Sequence, residues 1–292
     1  MNPFYLTAVQ LSLCLGPMAM GIFISMKVFK IPDITTDGSY TLGAAATAIL
    51  LTSGYPLWIV LPLSMIAGAL AGTTTGFIHT KLKVDALLAG ILVMTALYSV
   101  NLIILGRSNV PLIGTANLFE ILTLSETRIF NELFMALLIA GALLAILVYI
   151  LKTDFGIAMR ATGNNPIMSR AMGVNNDRIK MTGLAIANGL TALSGSLVAQ
   201  FQHFSDINMG IGIVITGLGS VLMADALARW FRINKMVLTI LLVLVGSLIF
   251  QLVLAFTLTI GIDPNLLKLV TSLFVLVFVA LPRLSGKKGE KD

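Results

Sequence analysis

Charge is scarce in this chain. Asp, Glu, Lys and Arg make up 11% of its 292 residues, against about 25% in ordinary soluble domains. Hydrophobic residues reach 57% and mean hydropathy is +0.97, which excludes a soluble globular domain. Cysteine is nearly absent: Cys14 stands alone within an apolar run, so no intrachain disulfide or cysteine cluster can form. The two histidines, His79 and His203, are far apart and have no His or Cys companions, so no metal site is expected. No G-x-x-x-x-G-K-[ST] run occurs, which removes a P-loop for ATP. No nucleophile with a base and an orienting acid can be assembled, so the chain is not expected to be an enzyme or to hold a cofactor. The net charge of +6 sits in short loops between apolar runs, and no nucleic-acid partner is expected. A cleavable signal pattern is missing too, and the first apolar stretch reads as an uncleaved span.

What is present is a series of apolar runs along the whole length, which predicts an all-α polytopic membrane protein embedded in the lipid bilayer. Residues 1–282 read as a single transmembrane domain, with a basic cytoplasmic tail at 283–292. The predicted spans are 4–26, a broken second span at 40–52, then 57–79, 86–105, 133–151, 181–201, 211–228, 236–256 and 266–281. The second is short for a crossing and follows an irregular polar lead-in that contains Pro32, Asp33, Thr35, Thr36, Asp37, Gly38 and Ser39. In the third, Gly68, Gly72 and Gly76 recur at spacing four, which places them on one helix face where a neighbouring backbone can pack closely. If every span crosses once, all but Arg107, Arg128 and Lys268 of the 19 Lys and Arg residues fall on one side. The positive-inside rule then gives about nine spans, the N-terminus outside and the C-terminus cytoplasmic.

The centres of most spans hold no ionisable residue. A charge there costs about 2.5–3.5 kcal/mol on insertion scales, so carriers that keep one generally use it for protons or ions. The acidic candidates are Asp33 and Asp37 at the broken span and Asp225 near a cytoplasmic end. A transporter without nucleotide site or coupling chemistry must draw its energy from another polypeptide.

The longest polar segment between spans, 152–180, contains one short, well-punctuated helix. Asn165 suits the N-cap and Pro166 the first helical position. Gly173 suits the stop. Between them Ile167, Met168, Ala171 and Met172 share a face, while Ser169 and Arg170 lie elsewhere. Two readings stand side by side: a knob for a soluble partner, or a helix lying on anionic headgroups.

Three stretches carry a family resemblance: GIFISMKVFKIPDITTDGSYTLGAA from position 21, ALLAGILVMTALYSVNLIILGRSNVPL from 86, and ATGNNPIMSRAMGVN from 161. They resemble permease subunits of bacterial ABC importers, in the branch that includes branched-chain amino acid and ribose permeases. The D-x-T-x-[DE]-G-S element at 33–39 and the run at 193–222 are similar to a subgroup of tryptophan/tyrosine-type permeases. The resemblance implies the large-permease importer fold in the bacterial inner membrane. It also implies a homodimer with two cytoplasmic ATPase subunits, which hold ATP and Mg, and an extracytoplasmic substrate-binding protein. The substrate would be a small solute such as an aromatic amino acid or a short peptide. Carried over to this chain, the ATPase-coupling helix is 165–172, with Arg160 and Gly163 ahead of it and Gly173 closing it.

Candidates for the transport path are Asp33, Thr35, Asp37, Ser39, Asn101, Asn188 and Gln200. Each also has a bland reading: the acids as helix-start caps, with Asp37 capping the helix that begins near Ser39, and the amides as interhelical bonds worth ~0.6 kcal/mol each. Gln202, His203 and Asp206 fall at the outer mouth, where they could meet a binding protein or form a solvated turn. An ion-coupled secondary carrier and a membrane scaffold without its own path are the alternatives from other classes.

Overall fold

The structure is a computed structural model that describes residues 3–121, 127–233, 235–263 and 266–285. Most of the expected basic tail lies outside the described residues. The long helices are α1 (Pro3–Ile22), α2 (Thr35–Thr52), α3 (Leu57–Lys81), α4 (Ala86–Leu105), α5 (Arg128–Lys152), α8 (Asn176–Gln202), α9 (Ile213–Trp230), α10 (Met236–Thr259) and α11 (Leu267–Ser285). Two short helices, α6 (Asp154–Asn164) and α7 (Pro166–Ala171), follow α5 at the basic end. Two three-residue strands, β1 (Asn109–Pro111) and β2 (Phe204–Asp206), pair antiparallel at the opposite end.

Among the described residues, seven helices are long and apolar enough to cross a membrane: α1 with its extension, α3, α4, α5, α8, α9 and α10. Helix α8 is the spine. Of its apolar window 83% is buried, against 22% for α5, so α8 is enclosed by protein while α5 runs along the periphery. That explains its sequence. A helix wrapped by α1, α2 and α3 needs small side chains more than lipid-soluble ones, and Gly189, Ser194, Gly195 and Ser196 supply them. The glycines at 68, 72 and 76 lie on this contact: a Cβ on any of them would strike α8 at Asn188, Leu184 or Met181.

Helix α2 falls short of the membrane-span criteria for a related reason. Most of its residues are buried against α8, α3 and α4, and a helix with little lipid contact has no need of high hydropathy. It also begins earlier than the polar composition suggests. Thr35 to Ser39 are helical, and the irregular stretch is confined to 29–34. Before it, α1 widens into a π-helical turn, Phe23–Val28, and Lys30 takes a left-handed φ of 58°. Thr35 then meets Thr75 of α3, Oγ1 to Oγ1 at 2.8 Å. At 1.5 Å per residue Thr75 is about 9 Å along α3 from Lys81, so α2 starts well inside the helical layer. Non-helical backbone at that depth is tolerated only where protein covers it, and Ile31 and Asp33 are both buried.

Candidate functional site: an exposed apolar helix and a polar core

Local chemistry builds α7. The Asn165 side chain accepts a hydrogen bond from Met168 N–H at 3.0 Å and Pro166 opens the helix. Gly173, at φ 85°, ends it, and Gly173 N–H donates to the Arg170 carbonyl at 3.0 Å. What faces outward is the apolar side. Ile167, Met168 and Met172 are 83%, 61% and 75% exposed, whereas Ser169 is buried. The polar side is turned inward because Asn176 receives it. Ser169 Oγ donates to Asn176 Oδ1 at 2.7 Å, Thr162 Oγ1 donates to the same oxygen at 3.2 Å, and Asn176 Nδ2 donates to the Pro166 carbonyl at 2.6 Å. One buried side chain at the start of α8 therefore clamps both α7 and α6.

Asn176 was invisible to sequence patterning, because its partners are set by the fold. Nor does the sequence indicate α6, whose Gly163 leaves room for the Val28 carbonyl at the foot of α1. Arg160 and Gly163 thus sit on α6 and not on the exposed face. Arg160 reaches α10, with Nη1 2.9 Å from Met236 Sδ. Arg170 and Ala171 stay with α7, where Arg170 Nη2 lies 3.9 Å from Asp177 of α8. Asp177 in turn pairs with Lys81 of α3 at 3.3 Å. Lys180 Nζ is 3.4 Å from His79 Nε2, while His79 Nδ1 is 3.0 Å from the Val84 carbonyl. A groove of about 790 Å³ runs between these two turns, lined by Lys83, Arg170, Asn176 and Lys180 among others. The α7 helix is joined through α8 to the end of α3.

The second cluster is the polar core around α2. Asp33 is 2% exposed. Its Oδ1 accepts Thr35 N–H at 3.0 Å and its Oδ2 accepts the Asn188 amide at 2.7 Å. Asn188 Oδ1 accepts from Ser39 Oγ at 2.7 Å. Asp37 departs from the capping expected of it. Instead of its own helix it caps α9, accepting Gly212 N–H and Val214 N–H at 2.9 Å each. The carboxylate thereby meets free N–H groups and the positive end of the α9 dipole. Asn101 of α4 donates to the Gly38 carbonyl at 3.1 Å, and its Oδ1 has no partner among the described residues. Gln200 stands apart from this group and accepts Leu118 N–H at 3.1 Å, anchoring the loop between α4 and α5.

At the end of the bundle away from α7, where an outer mouth is expected, His203 adopts a left-handed φ of 59° and ends α8. Its carbonyl accepts Leu112 N–H at 2.8 Å, and Arg128 donates to its Nε2 at 3.3 Å. Asp206 lies in β2 opposite Asn109, whose side chain donates to it at 3.3 Å. These two residues belong to a strand pairing and loop network. Gln202 is exposed and borders a cavity of about 380 Å³ shared with Tyr40, Leu15 and Ile213.

Residues 4–280 match the family described as branched-chain amino acid transport system / permease component. The chain belongs to this permease family. Among its relatives is the tyrosine transport system permease protein of Clostridioides difficile, 39% identical over 94% of this chain and 90% of the relative. An uncharacterized protein of Rickettsia prowazekii is 36% identical over 94% of this chain and 96% of its own length. A solved ABC transporter in an inward-facing conformation superposes with a TM-score of 0.54 at 13% identity, covering 94% of this chain and 84% of that one. The fold is therefore that of an ABC transporter permease. This permease is a multi-pass membrane subunit of an ABC importer, of the kind that serves amino-acid transport.

Proposed function

We propose that the permease imports an amino acid, with an aromatic one such as tyrosine as the leading candidate, along a path between two copies of this chain. A substrate-binding protein outside delivers the solute, and two cytoplasmic ATPase subunits, holding ATP and Mg, drive the cycle. Helices α2 and α11 are read as crossing alongside the seven apolar helices. That makes about nine passes of one domain over 1–282, with the N-terminus outside and the basic tail in the cytoplasm. The chain itself then needs neither nucleotide nor metal.

The observation that carries this reading is the orientation of α7. A short helix in isolation is marginal, and one that turns its apolar side to water loses solvation as well. It holds because Asn176 fixes its polar side and because a partner covers Ile167, Met168, Ala171 and Met172. In this reading α7 is the coupling helix, and Asn165, Pro166, Arg170 and Gly173 set its shape. Arg160 and Gly163 act one step behind, seating α6. Motion of α7 passes through α8, which carries Asn188 and Gln200, to Asp33, Thr35, Asp37, Ser39 and Asn101. The substrate reading rests on the tyrosine permease relative.

Met168→Glu tests it. The variant is expected to insert normally, because the side chain is exposed, yet to lose co-purification with the ATPase and ATP-driven uptake. Retained co-purification with normal uptake would remove the docking role of α7.

A further inference from the structure

A second basic site lies at the foot of α1, α9 and α10, outside everything assigned above. It is a cavity of about 600 Å³ lined by Lys27, Asp225, Ala228, Arg229, Arg232, Ile233 and Thr239. Asp225 is the single acid among these residues, and Lys27 already holds it at 2.6 Å. Arg229 and Arg232 make no ion pair with a described residue, so the cavity keeps two uncompensated guanidinium groups. Arg232 takes a left-handed φ of 53° and closes α9, with the Ile233 N–H donating to the Ala228 carbonyl at 2.8 Å.

The surroundings identify the occupant. Between the two arginines, Trp230 and Phe231 are 79% and 62% exposed and stack with ring centroids 5.5 Å apart. Two stacked aromatics at the basic end of a span occupy the level where Trp and Tyr rings anchor membrane proteins among headgroups. The first turn of α10 closes the cavity with Thr239.

We infer that this cavity binds the phosphodiester headgroup of an anionic phospholipid. Arg229 and Arg232 hold the phosphate, and Trp230 and Phe231 lie beside it at headgroup level. Basic pockets between transmembrane helices on the cytoplasmic side bind such headgroups in general. The bound lipid fixes the α9–α10 turn at the interface.

The chain has two tryptophans, Trp58 and Trp230, which makes the test direct. In full-length Trp58→Phe protein, Trp230 is the single indole reporter, and brominated phospholipids quench it on contact. In mixed vesicles, brominated phosphatidylglycerol is expected to quench Trp230 far more strongly than brominated phosphatidylcholine at equal mole fraction. Adding Arg229→Ala and Arg232→Ala should lower that preference on the order of tenfold. Arg229→Lys with Arg232→Lys should retain it, which separates lost charge from lost fold. Equal quenching by the two lipids, or a preference that survives the double alanine change, overturns the proposal. So does abolition of the preference by soluble glycerol phosphate, because the site would then serve a free phosphate ester.

Discussion

Asp33 and Asp37 stand one helical turn apart and serve different helices. Asp33 accepts the first N–H of α2, that of Thr35, and reaches across to Asn188, whereas Asp37 reaches over to the start of α9. Two helix N-termini inside the bundle thereby receive a carboxylate from the chain itself. A capping side chain is worth about 1–2 kcal/mol when replaced by Ala, so Asp37→Ala should lower stability by that amount. Asp37→Asn keeps an acceptor and should lose less. Thermal unfolding of the detergent-purified permease measures both, and an Ala variant that melts with the wild type would show that the cap contributes nothing. The cap at Asn165 was legible because its partner is three residues away. The target of Asp37 was not, because Gly212 is far off in sequence and no local pattern points to it.

At the scale of elements, the contact between α3 and α8 holds the bundle together. Its glycines let two backbones meet where any side chain would overlap, and Gly72 faces the Leu184 carbonyl. Without a hydrophobic drive between helices in lipid, such close packing is the main source of association. Gly72→Val forces the helices apart, and overpacking of this kind costs about 1–3 kcal/mol. The variant should lose monodisperse yield in size-exclusion chromatography. Gly141→Val on α5, where an added Cβ meets open space, should behave as wild type and serves as the control. The four-residue spacing already showed that the three glycines share a face. That the partner is α8, and that α8 is polar because it is enclosed, emerges only when the helices are packed.

For the whole molecule, the proposed cycle links an outward-facing apolar knob to a buried polar centre through one rigid spine. Uptake of labelled tyrosine into vesicles holding the permease, its ATPase and its binding protein should require internal ATP and should collapse when any of the three is omitted. Uptake driven by a proton or sodium gradient in the absence of ATP would instead identify a secondary carrier. Scarce mid-membrane charge argues against that outcome, since the buried acids Asp33 and Asp37 are already engaged in capping.

Sequence alone determined the class, the basic side, the short capped helix of the 152–180 segment and the glycine stripe. Each is a matter of composition or of spacing within a few turns, where the chemistry is complete in the residues themselves. Tertiary structure alone decided that α2 starts at Thr35, that α6 exists, that Asn176 clamps α7, and that Asp37 caps α9. Burial by other helices overrides the propensity of Thr, Asp and Gly in the first turn of α2, and side-chain partners separated by many residues are chosen by packing. The knob at α7 shows both halves of the division. Its ends were written locally by Asn165 and Gly173, but the inward turn of Ser169, which leaves the apolar face outside, exists only because α8 brings Asn176 beneath it.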